Sequence, residues 1–218
     1  MMARRMGMKE IYYDIKKACN QTKIIVVSKK RSLEEIMSYY DAGVRDFGEN
    51  RVQDLIDKAT QLPQDIRWHF IGHLQRNKVK AVLPYVSLIH SIESVELLKV
   101  LDKEAKALNK KIDVLIQFNI AEEATKTGLN VTEAEEFIKQ ALTYPNLNVK
   151  GIMCMGPHVE DENEIERCFH EAYRLKEKLA TQFGNEHFTE LSMGMSSDWK
   201  LAIKQGSTML RIGTILFE

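Results

Sequence analysis

The stretch KIIVVSKKR, residues 23–31, runs four apolar residues, Ile24 to Val27, straight into a serine and two lysines. Four consecutive apolar positions leave no polar face, the pattern of a strand covered on both sides rather than of a half-exposed one. Such a strand belongs in a parallel sheet flanked by helices, and Lys29 and Lys30 fall where it surfaces. One reading is a strand end becoming solvated, the fate of most lysines. The other places one lysine at the mouth of a pocket.

Seven further strand candidates follow, at 45–50 (RDFGEN), 68–73 (WHFIGH), 87–92, 113–120, 148–156, 189–194 and 208–214. The segments between them have helical spacing. Ser32 with Glu35, and Thr132 with Glu135, fit the capping box, in which hydroxyl and carboxylate satisfy each other's free backbone donors. The segment 94–108 sets Leu97, Leu101, Ala105 and Leu108 on one face. Eight strands alternating with helices predict an α/β protein, a single (β/α)8 TIM-type barrel over residues 1–218, with an extra N-terminal helix around 8–20. A doubly wound open sheet would call for G-x-G-x-x-G after its first strand, and that is absent.

Composition narrows the partners. The 31 basic and 31 acidic residues cancel, and no long run of one sign occurs, so neither nucleic acid nor an anionic membrane is expected. Arg4 and Arg5 have no apolar signal region behind them, and no stretch approaches the roughly 20 apolar residues of a membrane span. Cys19, Cys154 and Cys168 form no C-x-x-C. The expectation is a cytoplasmic protein with reduced thiols.

Barrel active sites lie at the C-terminal ends of the strands. That puts Lys29, Asn50 and His73 at the ends of strands one to three, and SMGMSSD (192–198) and RIGT (211–214) at the ends of seven and eight. Gly194 lets backbone approach a ligand, and Ser196 and Ser197 can cap a helix beginning near Asp198, whose amides would attract an anion. Gly213 and Thr214 add a backbone donor and a hydroxyl. Together these segments suggest a phosphate cup. A lysine at the end of strand one, on the same rim, suggests a ligand carrying both a carbonyl and a phosphate, because lysine forms imines when burial or a nearby cation frees its amine. Lys30 and Arg31 could be the cations beside Lys29. Pyridoxal 5′-phosphate (PLP) and a sugar-phosphate aldolase substrate both fit. A strand alternates its faces, so Lys29 and Lys30 cannot both enter the pocket.

Taken in order, IIVVSKKR (24–31), FGENRVQ (47–53), WHFIGHLQRNK (68–78), HSIES (90–94), KTGL (126–129), GIMCMG (151–156) and the segment 191–217 resemble the pyridoxal phosphate homeostasis protein family. That family comprises single-domain relatives of the alanine racemase N-terminal barrel. The resemblance implies that Lys29 is the aldimine lysine, that Asn50 lies near the cofactor ring, that Ser196, Gly213 and Thr214 hold the phosphate, and that Arg211 faces the pyridine nitrogen. Lys30 falls where the family often has threonine, and SSDW (196–199) and the ending LFE also depart from its pattern. A guanidinium keeps the ring nitrogen unprotonated and weakens the cofactor as an electron sink. A racemase needs a base on each face of its substrate. In alanine racemase the second base comes from a separate C-terminal domain, whereas this chain ends four residues after Thr214. Tyr39, Tyr40 and Tyr85 fall in helical or loop stretches with no evident route to the pocket.

The resulting expectation is a PLP carrier, a monomer or weak dimer that supplies PLP-dependent apo-enzymes, rather than an efficient enzyme. The alternatives are a slow amino-acid racemase and a Schiff-base aldolase-like enzyme. No metal is expected, because His69 with His73, and Cys168 with His170, lack further ligands at a standard spacing. FHEAYRL (169–175) lacks the second histidine of H-E-x-x-H. RNKVK (76–80) reads as a solvated helix start.

Overall fold

The computed structural model describes residues 2–19, 21–121 and 127–218, with side chains from Lys9 onward. The side chains of Arg4 and Arg5, and Lys126 of KTGL, lie outside the described residues. Eight strands, β1 (Lys23–Val27), β2 (Asp46–Glu49), β3 (Arg67–Phe70), β4 (Val86–Ile92), β5 (Ile112–Gln117), β6 (Leu147–Met153), β7 (Glu190–Ser192) and β8 (Met209–Ile212), pair in parallel in chain order. The sheet closes where Ile25 of β1 pairs with Arg211 of β8. The barrel expected from KIIVVSKKR is the one observed.

Helices α1 (Met2–Ala18), α2 (Leu33–Asp41), α3 (Val52–Ala59), α4 (Val79–Val82), α5 (Val95–Ala107), α6 (Ala134–Ala141), α7 (Glu162–Phe183), α8 (Trp199–Lys204) and α9 (Thr214–Phe217) form the outer layer. The two faces of the strands feed two separate cores. Ile24, Val26, Phe47, Phe70 and Ile89 pack outward into the helix layer, while Ile25, Leu88, Leu115, Met153 and Met209 fill the barrel interior. This is why β1 shows no polar face. The extra helix α1 docks through Tyr12, whose ring meets Tyr39 of α2 edge-on, and Tyr39 in turn meets Phe217 of α9. Gly151 sets the closeness of β6 to β7: a Cβ there would lie 1.8 Å from the Glu190 carbonyl oxygen. Among the described residues, no helix is long and apolar enough to cross a membrane.

One local signal holds and two differ. The Ser32–Glu35 capping box forms, with Glu35 Oε2 accepting from the Ser32 N–H at 2.7 Å. The second box lies two residues upstream of Thr132: Asn130 is the cap and Glu133 its partner, opening a 3-10 turn, Val131–Glu133, before α6. Asparagine caps better than threonine, and Thr132 Oγ1 donates to Asn130 Oδ1 at 2.7 Å. Helix α5 stops at Ala107, so Leu108 leaves the apolar face and is exposed.

Candidate functional site

Because all strands run the same way, their C-terminal ends share one rim. Strand β1 stops at Val27, two residues before Lys29. Residues 28–31 form a turn closed by the Arg31 N–H donating to the Ser28 carbonyl at 3.0 Å, with Lys30 in the left-handed region at φ 60°. The strand-alternation argument for choosing between Lys29 and Lys30 therefore fails. Both lie in a turn, and both are exposed. Arg31 is not a spare cation beside Lys29. Its guanidinium lies 4.9 Å from the Phe217 ring centroid and pairs with Glu35 and Glu218.

The turn is anchored from behind. Lys58 of α3 reaches under it, donating to Glu49 Oε1 at 2.6 Å and to the Ser28 carbonyl at 2.8 Å. Ser28 Oγ donates to the same carboxylate oxygen at 2.7 Å. This buried trio faces the helix layer and fixes where the lysine turn leaves the barrel. Asn50 is the first residue after β2. Val27 pairs with Gly48, so the lysine turn after β1 and Asn50 after β2 leave the same rim from neighbouring strands. Asn50 Oδ1 is buried without a hydrogen-bond partner. Gly72 lets the loop after β3 close over Asn50: a Cβ there would lie 2.2 Å from the Asn50 carbonyl oxygen.

On the other flank of β1, across β8, Ser196 does not cap α8. Its Oγ accepts from the Gly213 N–H at 3.3 Å and the Ile215 N–H at 3.5 Å, tying the β7 loop to the start of α9. Ser197 is exposed. Asp198 holds the cap position of α8 and accepts from the Met195 N–H rather than from the helix; burial raises its pKa. Gly213 packs closely on β1, where a Cβ would lie 3.2 Å from Val27 Cβ. Thr214 is exposed as the first residue of α9.

Arg211 lies on the inner face of β8, level with Ile25 and two residues below Gly213. Its Nη1 donates to Ser192 Oγ at 2.7 Å and its Nη2 to the Cys154 carbonyl at 2.9 Å. Burial lowers its pKa from the ordinary arginine value. Below it the interior is polar: Ser192 Oγ is 2.9 Å from His90 Nδ1, His90 Nε2 is 3.0 Å from His69 Nδ1, and His69 Nε2 is 3.0 Å from Asp46 Oδ1. Asp46 also takes two hydrogen bonds from Arg67.

Lys29, Asn50, Ser196, Gly213 and Thr214 thus share one rim, with Arg211 beneath it. His69 and His73 part company, since His69 points into the barrel while His73 is exposed and pairs with Glu93 at 2.6 Å. Cys168 is buried, whereas His170 is exposed with its Nδ1 3.1 Å from Gln205 Oε1. Sequence reasoning missed Asp46, Glu49, Lys58, His90 and Ser192. The available signal was a single polar residue inside an apolar strand run, as in SLIHSI (87–92). A separate cavity opens in the helix layer between α6 and α7, beside Glu135, Arg167, Arg174 and Lys178.

Residues 8–218 match the model of the alanine racemase N-terminal domain, the class that this barrel and rim define. Within that class, the chain belongs to the pyridoxal phosphate homeostasis protein family. It is 38% identical over 211 residues to the protein of that name from Aquifex aeolicus, covering 93% of this chain and 92% of that protein. It is 41% identical over 199 residues to the one from Helicobacter pylori, covering 90% and 87%. PipY of Synechococcus elongatus, solved with PLP bound, superposes with a TM-score of 0.84 at 34% identity, covering 91% of this chain and 93% of that one. An alanine racemase from Clostridium difficile shares the fold, with a TM-score of 0.74 at 16% identity over 90% of this chain and 52% of that one.

Proposed function

We propose that this chain is a carrier of pyridoxal 5′-phosphate, holding it as an aldimine on Lys29 and supplying PLP-dependent apo-enzymes in the cytoplasm as a monomer or weak dimer. The observation that carries the reading is Arg211. A buried guanidinium whose hydrogen bonds go to a neutral hydroxyl and a neutral carbonyl keeps its charge for what lies above it. It has only donors to offer, and the unprotonated ring nitrogen of PLP is an acceptor. Two further features fit the same group. Asn50 Oδ1, at the end of the strand beside β1, is a buried acceptor without a donor, a state that costs about 1–3 kcal/mol until a partner arrives. Ser196 Oγ accepts from two backbone amides, which leaves its own proton for a phosphate oxygen, with Gly213 and Thr214 beside it. PipY, at 34% identity, was solved with PLP bound.

When bound, the cofactor supplies an aldehyde and an electron-withdrawing ring. Lys29 would hold the group through its amine, with loss of water; hydrolysis, or exchange for a recipient's amine, would release it. Arg211 holds the ring nitrogen unprotonated, so the ring withdraws electrons weakly and favours retention over turnover. The phenols suit the same reading. The Tyr39 hydroxyl donates to the Leu216 carbonyl and that of Tyr40 to Asp65, both in the helix layer rather than the barrel interior.

The test is an absorbance titration of the purified protein with PLP, then borohydride reduction and peptide mapping. A visible imine band with the label on Lys29, lost in Lys29→Ala, is expected. Label spread over surface lysines would overturn the site. Amino-acid racemisation or solvent deuterium exchange at the α-carbon at about 1 per second or faster would overturn the carrier role.

A further inference from the structure

The polar line under Arg211 runs from a donor-only group to an acceptor-only group, which fixes its two end bonds, and the neutrality of the two histidines between them fixes the rest. At one end, burial opposes ionisation of Asp46, but hydrogen bonds from Arg67 and His69 hold its carboxyl well below the usual carboxylate range. An ionised carboxylate only accepts, so His69 Nε2 carries a hydrogen and donates across 3.0 Å. Burial keeps both imidazoles neutral, against the pull of Asp46 at His69 and with the help of the neighbouring charges at His90. A neutral ring has one donor and one acceptor. His69 Nδ1 is therefore the acceptor, and His90 Nε2 must donate to it. His90 Nδ1 is then an acceptor too, and only the Ser192 hydroxyl is there to fill it, at 2.9 Å. Ser192 Oγ keeps its lone pairs for the Arg211 guanidinium at 2.7 Å.

Each link thus points the same way, from Arg211 on β8 through Ser192 on β7, His90 on β4 and His69 on β3 to Asp46 on β2. All five residues are less than 10% exposed, with Asp46 the most accessible at 8%. The line enters at the rim beneath the lysine turn. It leaves at the opposite end of the barrel, where Arg67, exposed, closes it with a two-point grip on Asp46. Serine is essential to this logic as a group that accepts and donates at once; an apolar residue at 192 leaves His90 Nδ1 without a donor and Arg211 Nη1 without an acceptor.

We propose that Asp46, His69, His90 and Ser192 are positioning residues: a one-way hydrogen-bond line that aims the Arg211 guanidinium at the ring nitrogen of bound pyridoxal phosphate. Its target rests on the function proposed above; its internal direction does not. Two measurements separate them. In the full chain without added cofactor, nitrogen-15 NMR reads the tautomers of His69 and His90. Both are expected as neutral Nε2–H rings between about pH 6 and pH 8, where a solvent-exposed histidine titrates. An Nδ1–H ring or an imidazolium at either position overturns the line. In Ser192→Ala, the His90 Nδ1 resonance is expected to shift, PLP to bind about tenfold more weakly, the loss of one buried bond to a charged group, and the imine band to move. A shifted resonance with unchanged PLP affinity and band overturns the positioning role. If wild type binds no PLP, the functional reading and the aim of the line both fall, while the tautomers still decide its direction.

Discussion

The anchor behind the lysine turn yields a sharp stability prediction. Lys58→Met keeps most of the apolar stem and removes the charge that faces Glu49. The side chains are 11% and 0% exposed and their charged atoms 2.6 Å apart, so the carboxylate stays behind in a site without water. Removing one partner of a buried pair costs about 3–5 kcal/mol. The lower end applies here, because the Ser28 hydroxyl still donates to Glu49 Oε1. About 3 kcal/mol corresponds to a fall of roughly 6–12 °C in Tm for a chain of this size. Urea unfolding followed by tryptophan fluorescence measures it, with an unchanged slope showing that the folded state is intact. The double variant Glu49→Met with Lys58→Met removes both charges and is expected to cost less than Lys58→Met alone. A loss under about 1 kcal/mol in the single variant, or a double variant less stable than the single, would refute the claim that this pair holds the turn by charge compensation.

Stability is also expected to depend on pH through the barrel interior. His69 and His90 are held neutral in the fold, below the usual histidine pKa, so the unfolded chain binds more protons as pH falls through about 6.5. Their contribution is present above that pH and disappears below it, with a slope of up to about 2.7 kcal/mol per unit for two protons; Asp46, with its lowered pKa, extends the same sign further into acid. Urea midpoints from pH 8 to pH 5 that stay level would contradict this. Gly151→Ala places a Cβ 1.8 Å from the Glu190 carbonyl, so a loss of more than about 3 kcal/mol or failure to fold is expected, readable as the soluble yield and the melting curve. All three cysteines are buried, and burial pushes the Cys19 thiol up to about 11. A thiol reagent at neutral pH should therefore label them slowly in the native protein and rapidly in denaturant; fast native labelling of Cys19 would be the contrary result.

The barrel was legible because a strand buried on both faces writes itself as an unbroken apolar run, as in Ile24–Val27. Strands that turn polar groups inward carry no such mark. DFGE of β2 and ELS of β7 are recognisable chiefly by their place in the alternation. The rim ends were overextended, to 120 where β5 ends at Gln117 and to 156 where β6 ends at Met153, because apolar side chains continue past the last ladder hydrogen bond. The lysine turn was located, but its φ of 60° at Lys30 is a property of the closed turn and not of the dipeptide. The interior line was invisible for a different reason. His69 and His90 stand 21 residues apart and His90 and Ser192 stand 102 apart, and only closure of the sheet makes them neighbours. Glu49 and Lys58, nine residues apart on a strand and the following helix, met the same obstacle at shorter range.

The interior line also bears on how the barrel assembles. Its members come from β2, β3, β4, β7 and β8, so cutting the sheet into two four-strand halves separates His90 from Ser192. One half would keep Asp46, His69 and His90 with the last ring lacking its donor, and the other would bury an arginine and a serine with no histidine to receive them. The hydrogen bonds of the line are complete only in the closed barrel, so the eight strands gain the benefit of their polar interior when the two halves meet.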